Sequence, residues 1–185
     1  MPMNDNSVTI EALPCESQVT RMYEKTDLAD AYTIRLPDNA ITDPELLARF
    51  VFSQQASWVA GLMRMRDALV AGFGIKTAKQ LEGKPQSSGI RRIRFFRIYE
   101  THAHEIVLGE DDKHLDFRLS VLLQKRPVEN GNGASASYLV LSTVVHCHNR
   151  LGRTYIALIA PFHRLIAQSS LRSAAKAGWP TVAPA

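Results

Sequence analysis

The chain has 185 residues, is 45% hydrophobic and 22% charged, and carries a formal net charge of +4. That is enough for one domain with a sizeable core, while the mild basicity falls short of the dense Lys/Arg clustering of a nucleic-acid binder. Two cysteines far apart, Cys15 and Cys147, make no disulfide or zinc framework and read as free thiols in a reducing cytoplasm.

Residues 1–27 are polar and weakly patterned, an N-terminal extension in which Ser7 to Leu13 is a short extended segment stopped by Pro14. Met1 to Thr9 has no basic start followed by an apolar run, so no signal peptide is expected. From Ala29 to Leu36, Ala31, Thr33 and Arg35 alternate with Tyr32, Ile34 and Leu36, which predicts the first strand, ended by Pro37. Thr42-Asp43-Pro44-Glu45 starts a helix in one of two ways. Thr42 and Glu45 form a capping box, or Asp43 caps and Pro44 takes the first helical position. Leu46, Leu47, Phe50 and Val51 give that helix its apolar face. A second helix, about Ala56 to Ala71, places Trp58, Leu62, Met65, Leu69 and Phe73 on one side.

Lys76 to Gly89 is a polar loop. Ile93 to Thr101, His104 to Leu108, Leu115 to Gln124 and Ser137 to His148 are strand-like. Gly109 to His114 is a charged hairpin turn, and Asn130-Gly131-Asn132-Gly133 is a flexible one. On the last strand Leu139, Leu141, Thr143, Val145 and Cys147 form the core side. The final helix, about Gly152 to Ala175, has Asn149 as N-cap, Pro161 inside it, and a stripe of Tyr155, Leu158, Ile159, Phe162 and Ile166. Its apolar stretch Tyr155 to Ala167 is too short to insert in a membrane and contains His163 and Arg164. Residues 176–185 read as a frayed, disordered tail.

Strand, helix pair, antiparallel strands, long helix: that order predicts an α+β fold in which a curved antiparallel sheet wraps a long C-terminal helix, the helix-grip arrangement. It occupies residues 28–175, with a cavity between sheet and helix. Several runs resemble a bacterial family of unknown function, numbered 2867. They are Asp30-Ala31-Tyr32, Ser57-Trp58-Val59 through Arg66-Asp67-Ala68-Leu69-Val70, Gly72-Phe73-Gly74, His148-Asn149-Arg150-Leu151-Gly152-Arg153-Thr154-Tyr155, and Pro161-Phe162-His163-Arg164. The resemblance covers most of residues 12–175. It implies a START-related fold, in a superfamily that includes polyketide cyclases and lipid carriers, and brings no catalytic residue with it. Some relatives are joined to reductase-like domains, which implies a reductase-type partner as a third reading.

Each candidate site has a plain structural alternative. His146 and His148 share a strand face, a spacing metal sites use, but that face is the outer one, so no metal is expected; no cofactor is expected either. His163 presents a polar group to the cavity, or bonds a backbone carbonyl and fixes helix to sheet, the preferred reading. Asp67 beside Arg66 reads as a surface ion pair rather than an acid. Arg91, Arg92, Arg94 and Arg97 around Phe95 and Phe96 read as the solvated start of a strand rather than a phosphate site.

The leading functional reading is a module that holds a small apolar molecule against Trp58, Leu62, Phe117, Leu119, Tyr155, Phe162 and His163. The second is an enzyme on a cyclic or polyketide-like substrate, with Arg118, Tyr155 or His163 positioning a carbonyl and moving a proton. Tyr138, Val140 and Val144, with Leu122, form an apolar cluster on the outer face, which points to a symmetric homodimer. Glu at Val140 and Val144 would then give a soluble folded monomer. The alternative is that Val8 to Leu13 folds back over the cluster.

Overall fold

The computed structural model describes residues 7–54, 91–128 and 133–182. The second predicted helix, with Trp58, Leu62 and Asp67, the loop 76–89 and most of the Asn130–Gly133 turn lie outside them.

Seven strands form one antiparallel sheet: β1 (Thr9–Glu11), β2 (Leu28–Arg35), β3 (Arg92–Ile93), β4 (Phe96–Thr101), β5 (Glu105–Asp111), β6 (Leu115–Pro127) and β7 (Ser135–Cys147). Their order across the sheet is β1-β2-β7-β6-β5-β4-β3. Strands β3 to β7 follow one another as neighbours, and β2 then pairs with β7, so the first long strand closes on the last. The segment expected as one strand from Ile93 to Thr101 is two, because the chain reverses at Arg94, whose φ of 54° is rare for a residue with a Cβ. Gly109, expected in a turn, lies within β5. A Cβ there would stand 2.3 Å from the Phe117 carbonyl oxygen and 3.0 Å from the Arg118 side chain, so the two strands close up only over glycine.

Helix α1 (Pro44–Ser53) begins in the second of the two predicted ways: the Asp43 carboxylate accepts from the Leu46 amide at 2.9 Å, and Pro44 is its first residue. Helix α2 (Arg150–Ala177) runs as one helix through Pro161. Its Asn149 cap accepts from the Gly152 amide at 3.0 Å and donates through Nδ2 to His114 Nδ1 at 3.0 Å, which ties the helix start to the β5–β6 turn. Gly152 is what allows that approach, since a Cβ there would meet the His114 carbonyl oxygen at 2.3 Å.

The main core joins the inner face of the sheet to α1 and α2. It contains Tyr32, Ile34, Leu108, Leu119, Val121, Leu139 and Leu141 from strands, Leu47, Ala48 and Val51 from α1, and Ala167, Leu171, Ala174 and Ala175 from α2. The predicted stripe of α2 is rotated from the one observed. Leu158 is 53% exposed, and Ile159, Phe162 and Ile166 are half-buried. The seam against the sheet runs instead through Ile156, Ala160, His163, Ala167, Leu171 and Ala174. Small residues there let the helix backbone come close to the sheet. The tail also differs from expectation as far as Val182. Trp179 is buried in the main core, the Ile41 amide donates to the Pro180 carbonyl, and Thr181 bridges to Ala40.

On the last strand the core side is the predicted one, with Leu139, Leu141, Val145 and Cys147 buried with the inner clusters. The outer face is covered from within the chain. Leu13, Val19, Met22 and Tyr23 pack on Val107, Val144, Val140, Leu122 and Ala31, and Val140 and Val144 are fully buried. The exposed patch on which the homodimer expectation rested is therefore not there. Of the segment expected as the alternative cover, Val8 to Leu13, Leu13 does lie over the cluster, whereas Val8 packs with the main core and Val19, Met22 and Tyr23 complete the cover, so the strap is residues 13–23. Glu105 holds this strap. Its carboxylate, buried on the outer face, accepts from Ser17 Oγ at 2.6 Å, Ser120 Oγ at 2.5 Å and the Gln18 amide at 3.1 Å.

The two thiols are free, Cys15 exposed and Cys147 buried. Burial, reinforced by the Asp27 charge, pushes the Cys147 thiol up to about 11. Under native conditions at neutral pH a maleimide should therefore modify Cys15 at least about tenfold faster than Cys147. Equal rates by mass spectrometry would contradict this placement of β7. No described helix is long and apolar enough to cross a membrane.

Candidate functional site

One row of inner-face residues crosses the sheet as Asp30, Thr143, Leu119, Leu108 and Ile98, from β2 through β7, β6 and β5 to β4. The row beside it runs Leu28, Val145, Phe117, Glu110. Asp30 is thus a carboxylate set into the apolar face of a strand, with the parity of Leu28, Tyr32 and Ile34. Helix α2 crosses above, and His163 occupies its seam at this level. The His163 Nε2–H donates to Asp30 Oδ1 at 3.2 Å. A carboxylate only accepts, so the proton on that bond belongs to the imidazole. The Asp30 side chain is 7% exposed and that of His163 25%.

The second carboxylate oxygen, Oδ2, is buried and makes no hydrogen bond. Arg164 Nε stands 4.0 Å from it, a through-space ion pair beyond hydrogen-bond reach. Tyr32, two residues along β2, is fully buried, and burial together with the Asp30 charge pushes its hydroxyl up to about 12. It stays protonated at neutral pH.

The His163 ring therefore bonds a side-chain carboxylate of β2 and not the backbone carbonyl expected from sequence. The helix is still fixed to the sheet, but through an ionisable pair. Asp30 was not among the sequence candidates. Its signal was available: it shares parity with Tyr32, Ile34 and Leu36, so a charge there has to be buried.

The other apolar candidates surround this pair unevenly. At 100° per residue, Tyr155, Ile159, Phe162 and Ile166 lie along one flank of α2, next to the seam. Tyr155 and Phe117 pack on the same buried cluster of Leu28, Leu115, Val145 and Cys147. Leu119 lies in the main core, and Phe117 also meets Phe96 edge-on, with ring centroids 5.9 Å apart. Phe96, Phe117, Tyr155 and Phe162 are all half-buried. Trp58 and Leu62 lie outside the described residues.

Arg118 is not part of this site. It belongs to the outer face, where it pairs with Asp111 at 2.8 Å and lies 3.7 Å over the Tyr99 ring. The thickness of the sheet separates it from His163. His146 and His148 are also outward, as expected, and each has a partner. His146 Nδ1 lies 2.8 Å from the Lys25 carbonyl, and His148 Nε2 pairs with Asp116 at 2.9 Å, which raises the His148 imidazole above its usual range. Among the described residues no three His, Cys, Asp or Glu side chains converge as a metal site would need. The basic run is engaged locally. Arg91 pairs with Glu45, Arg92 with Glu110 at 2.9 Å, Arg94 donates to the Phe52 carbonyl at 3.0 Å, and Arg97 lies over Tyr99.

One family model, described as Protein of unknown function (DUF2867), matches residues 22–170. No curated protein and no solved structure matches the chain.

Proposed function

The chain belongs to the DUF2867 family, and on that premise we propose that it binds a small, largely apolar molecule between the inner face of the sheet and the Tyr155–Phe162 flank of α2. The observation that supports this is the uneven covering of the inner face by the described elements. Helix α2 lies over β2 and β7, and α1 packs against β3, β5 and β6. Between them, beside the start of α2, Phe96, Phe117, Tyr155 and Phe162 keep partial exposure although all four are large aromatics. A ligand lodged against Phe117, Leu119 and Phe162 would bury that surface, a gain of roughly 25 cal/mol per Å², and His163 would supply a hydrogen bond to orient it. A long C-terminal helix on the inner face of an antiparallel sheet is also how we read a helix-grip, START-related fold here.

The neutral fluorophore N-phenyl-1-naphthylamine tests the reading. The folded protein should bind one equivalent saturably, with a Kd in the micromolar range, about −8 kcal/mol. Phe162→Asp puts a charge on the flank and should weaken binding by about tenfold or more. A folded wild-type protein that gives no saturable signal would overturn the proposal.

A further inference from the structure

Among the described residues two buried carboxylates, Glu105 and Asp30, are built differently, while a third, Glu110, is paired with Arg92. Glu105, on the outer face, is saturated: Ser17 Oγ, Ser120 Oγ and the Gln18 amide all donate to it. That is the pattern of a carboxylate that holds structure together. Asp30, on the inner face, receives a hydrogen bond from His163 and has the Tyr32 hydroxyl beside it, while its Oδ2 is buried without a hydrogen bond. A carboxylate kept for fastening α2 to β2 would gain from a second donor, and Arg164 is near enough to approach yet stands at 4.0 Å. The imidazole it does hold is partly exposed, on the seam beside the half-buried aromatic flank.

A buried carboxylate that accepts from one nitrogen of an accessible histidine fixes the tautomer, leaves the other nitrogen with a lone pair, and stabilises the imidazolium if that nitrogen takes a proton. We propose that Asp30 and His163 form an acid–base pair in which His163 Nδ1 removes a proton from a weakly acidic C–H of the bound apolar molecule, with His163 as the catalytic residue and Asp30 as its positioning residue. In the step the C–H bond breaks and its electron pair stays on the substrate as a stabilised carbanion. The proton goes to Nδ1, the imidazolium stays paired with Asp30, and the proton returns to substrate or to water. The titratable and charged groups facing the imidazole are Asp30 and Tyr32 from β2 and Arg164 from its own helix. The inference rests on the binding reading above.

5-Nitrobenzisoxazole is a probe of this chemistry. A base takes its ring C–H proton, that electron pair completes a nitrile as the N–O bond breaks, and the N–O pair becomes a coloured phenolate. The wild-type protein should open it with saturation, about a hundredfold faster than His163→Ala. Asp30→Asn should lower kcat with KM unchanged, because the imidazolium loses its counter-charge; Asp30→Glu should restore part of the rate. If the probe displaces N-phenyl-1-naphthylamine yet wild type and His163→Ala react alike, the base assignment is wrong and the binding reading stands. If the probe neither saturates nor displaces the fluorophore, both fall. Should the alanine variant lose its circular dichroism, His163→Gln takes its place. Independently of any reaction, ¹⁵N NMR should find the neutral His163 proton on Nε2, and a proton on Nδ1 would overturn the proposal.

Discussion

Val140→Glu combined with Val144→Glu leaves no folded protein at 25 °C. Both valines are fully buried under the strap of residues 13–23, Val144 with Val19 and Val107, Val140 with Ala31 and Leu122. Removing each valine forfeits about 1.5–3 kcal/mol of apolar burial. Each new carboxylate would be buried without a cation or have to lift the strap, and an uncompensated buried charge costs several kcal/mol. Two such sites together exceed the roughly 5–15 kcal/mol that holds a domain of this size folded. From sequence alone, the same two substitutions were expected to turn a dimer into a soluble folded monomer. The difference between those outcomes is whether water or residues 13–23 lie on the outer face. Far-UV circular dichroism decides it, and a native spectrum with a cooperative melt near that of wild type would show that the strap does not cover these residues.

Glu105→Ala destabilises the chain by about 3–5 kcal/mol, because hydrogen bonds to a buried charged acceptor are the costly kind to lose. The substitution deprives Ser17 Oγ, Ser120 Oγ and the Gln18 amide of their shared acceptor at once. Ser120 is fully buried and has no water to turn to, and Ser17, also buried, recovers solvent only if the strap opens. Two readouts follow. Urea unfolding should show the lost stability. Hydrogen exchange should show the Gln18 amide losing protection out of proportion to amides in the centre of β7. Stability within about 1 kcal/mol of wild type, or uniform loss of protection, would mean that Glu105 is not what holds the strap.

The same geometry explains what was and was not legible beforehand. Period-two alternation predicted the long strands and their inner sides. Leu139, Leu141, Val145 and Cys147 face inward because a one-residue slip would put Thr143's outward neighbours into the core. Capping chemistry predicted both described helix starts, since Asp43 and Asn149 act on amides only three residues away. These are local effects, and residues within one turn or one hairpin are sufficient to cause them.

Residues far apart in sequence decided the rest. The α2 stripe was read as the one with the largest apolar side chains, but the seam against the sheet needs small ones, and Ala160, Ala167 and Ala174 mean something only once β2 and β7 lie beneath them. Outer-face valines on β7 looked solvent-facing because nothing in strand periodicity shows that a polar N-terminal segment will be held there by a carboxylate 88 residues from Ser17. The sequence allows Arg118 and His163 to share one site, and the sheet places them on opposite faces. Asp30 and His163 are separated by 133 positions and meet because β2 pairs with β7 and α2, starting directly after β7, folds back across both. Local alternation could mark Asp30 as a charge on an inner face. Only the crossing of α2 over β2 supplied its partner, since a buried charge is stabilised by whatever the tertiary fold brings within hydrogen-bond distance.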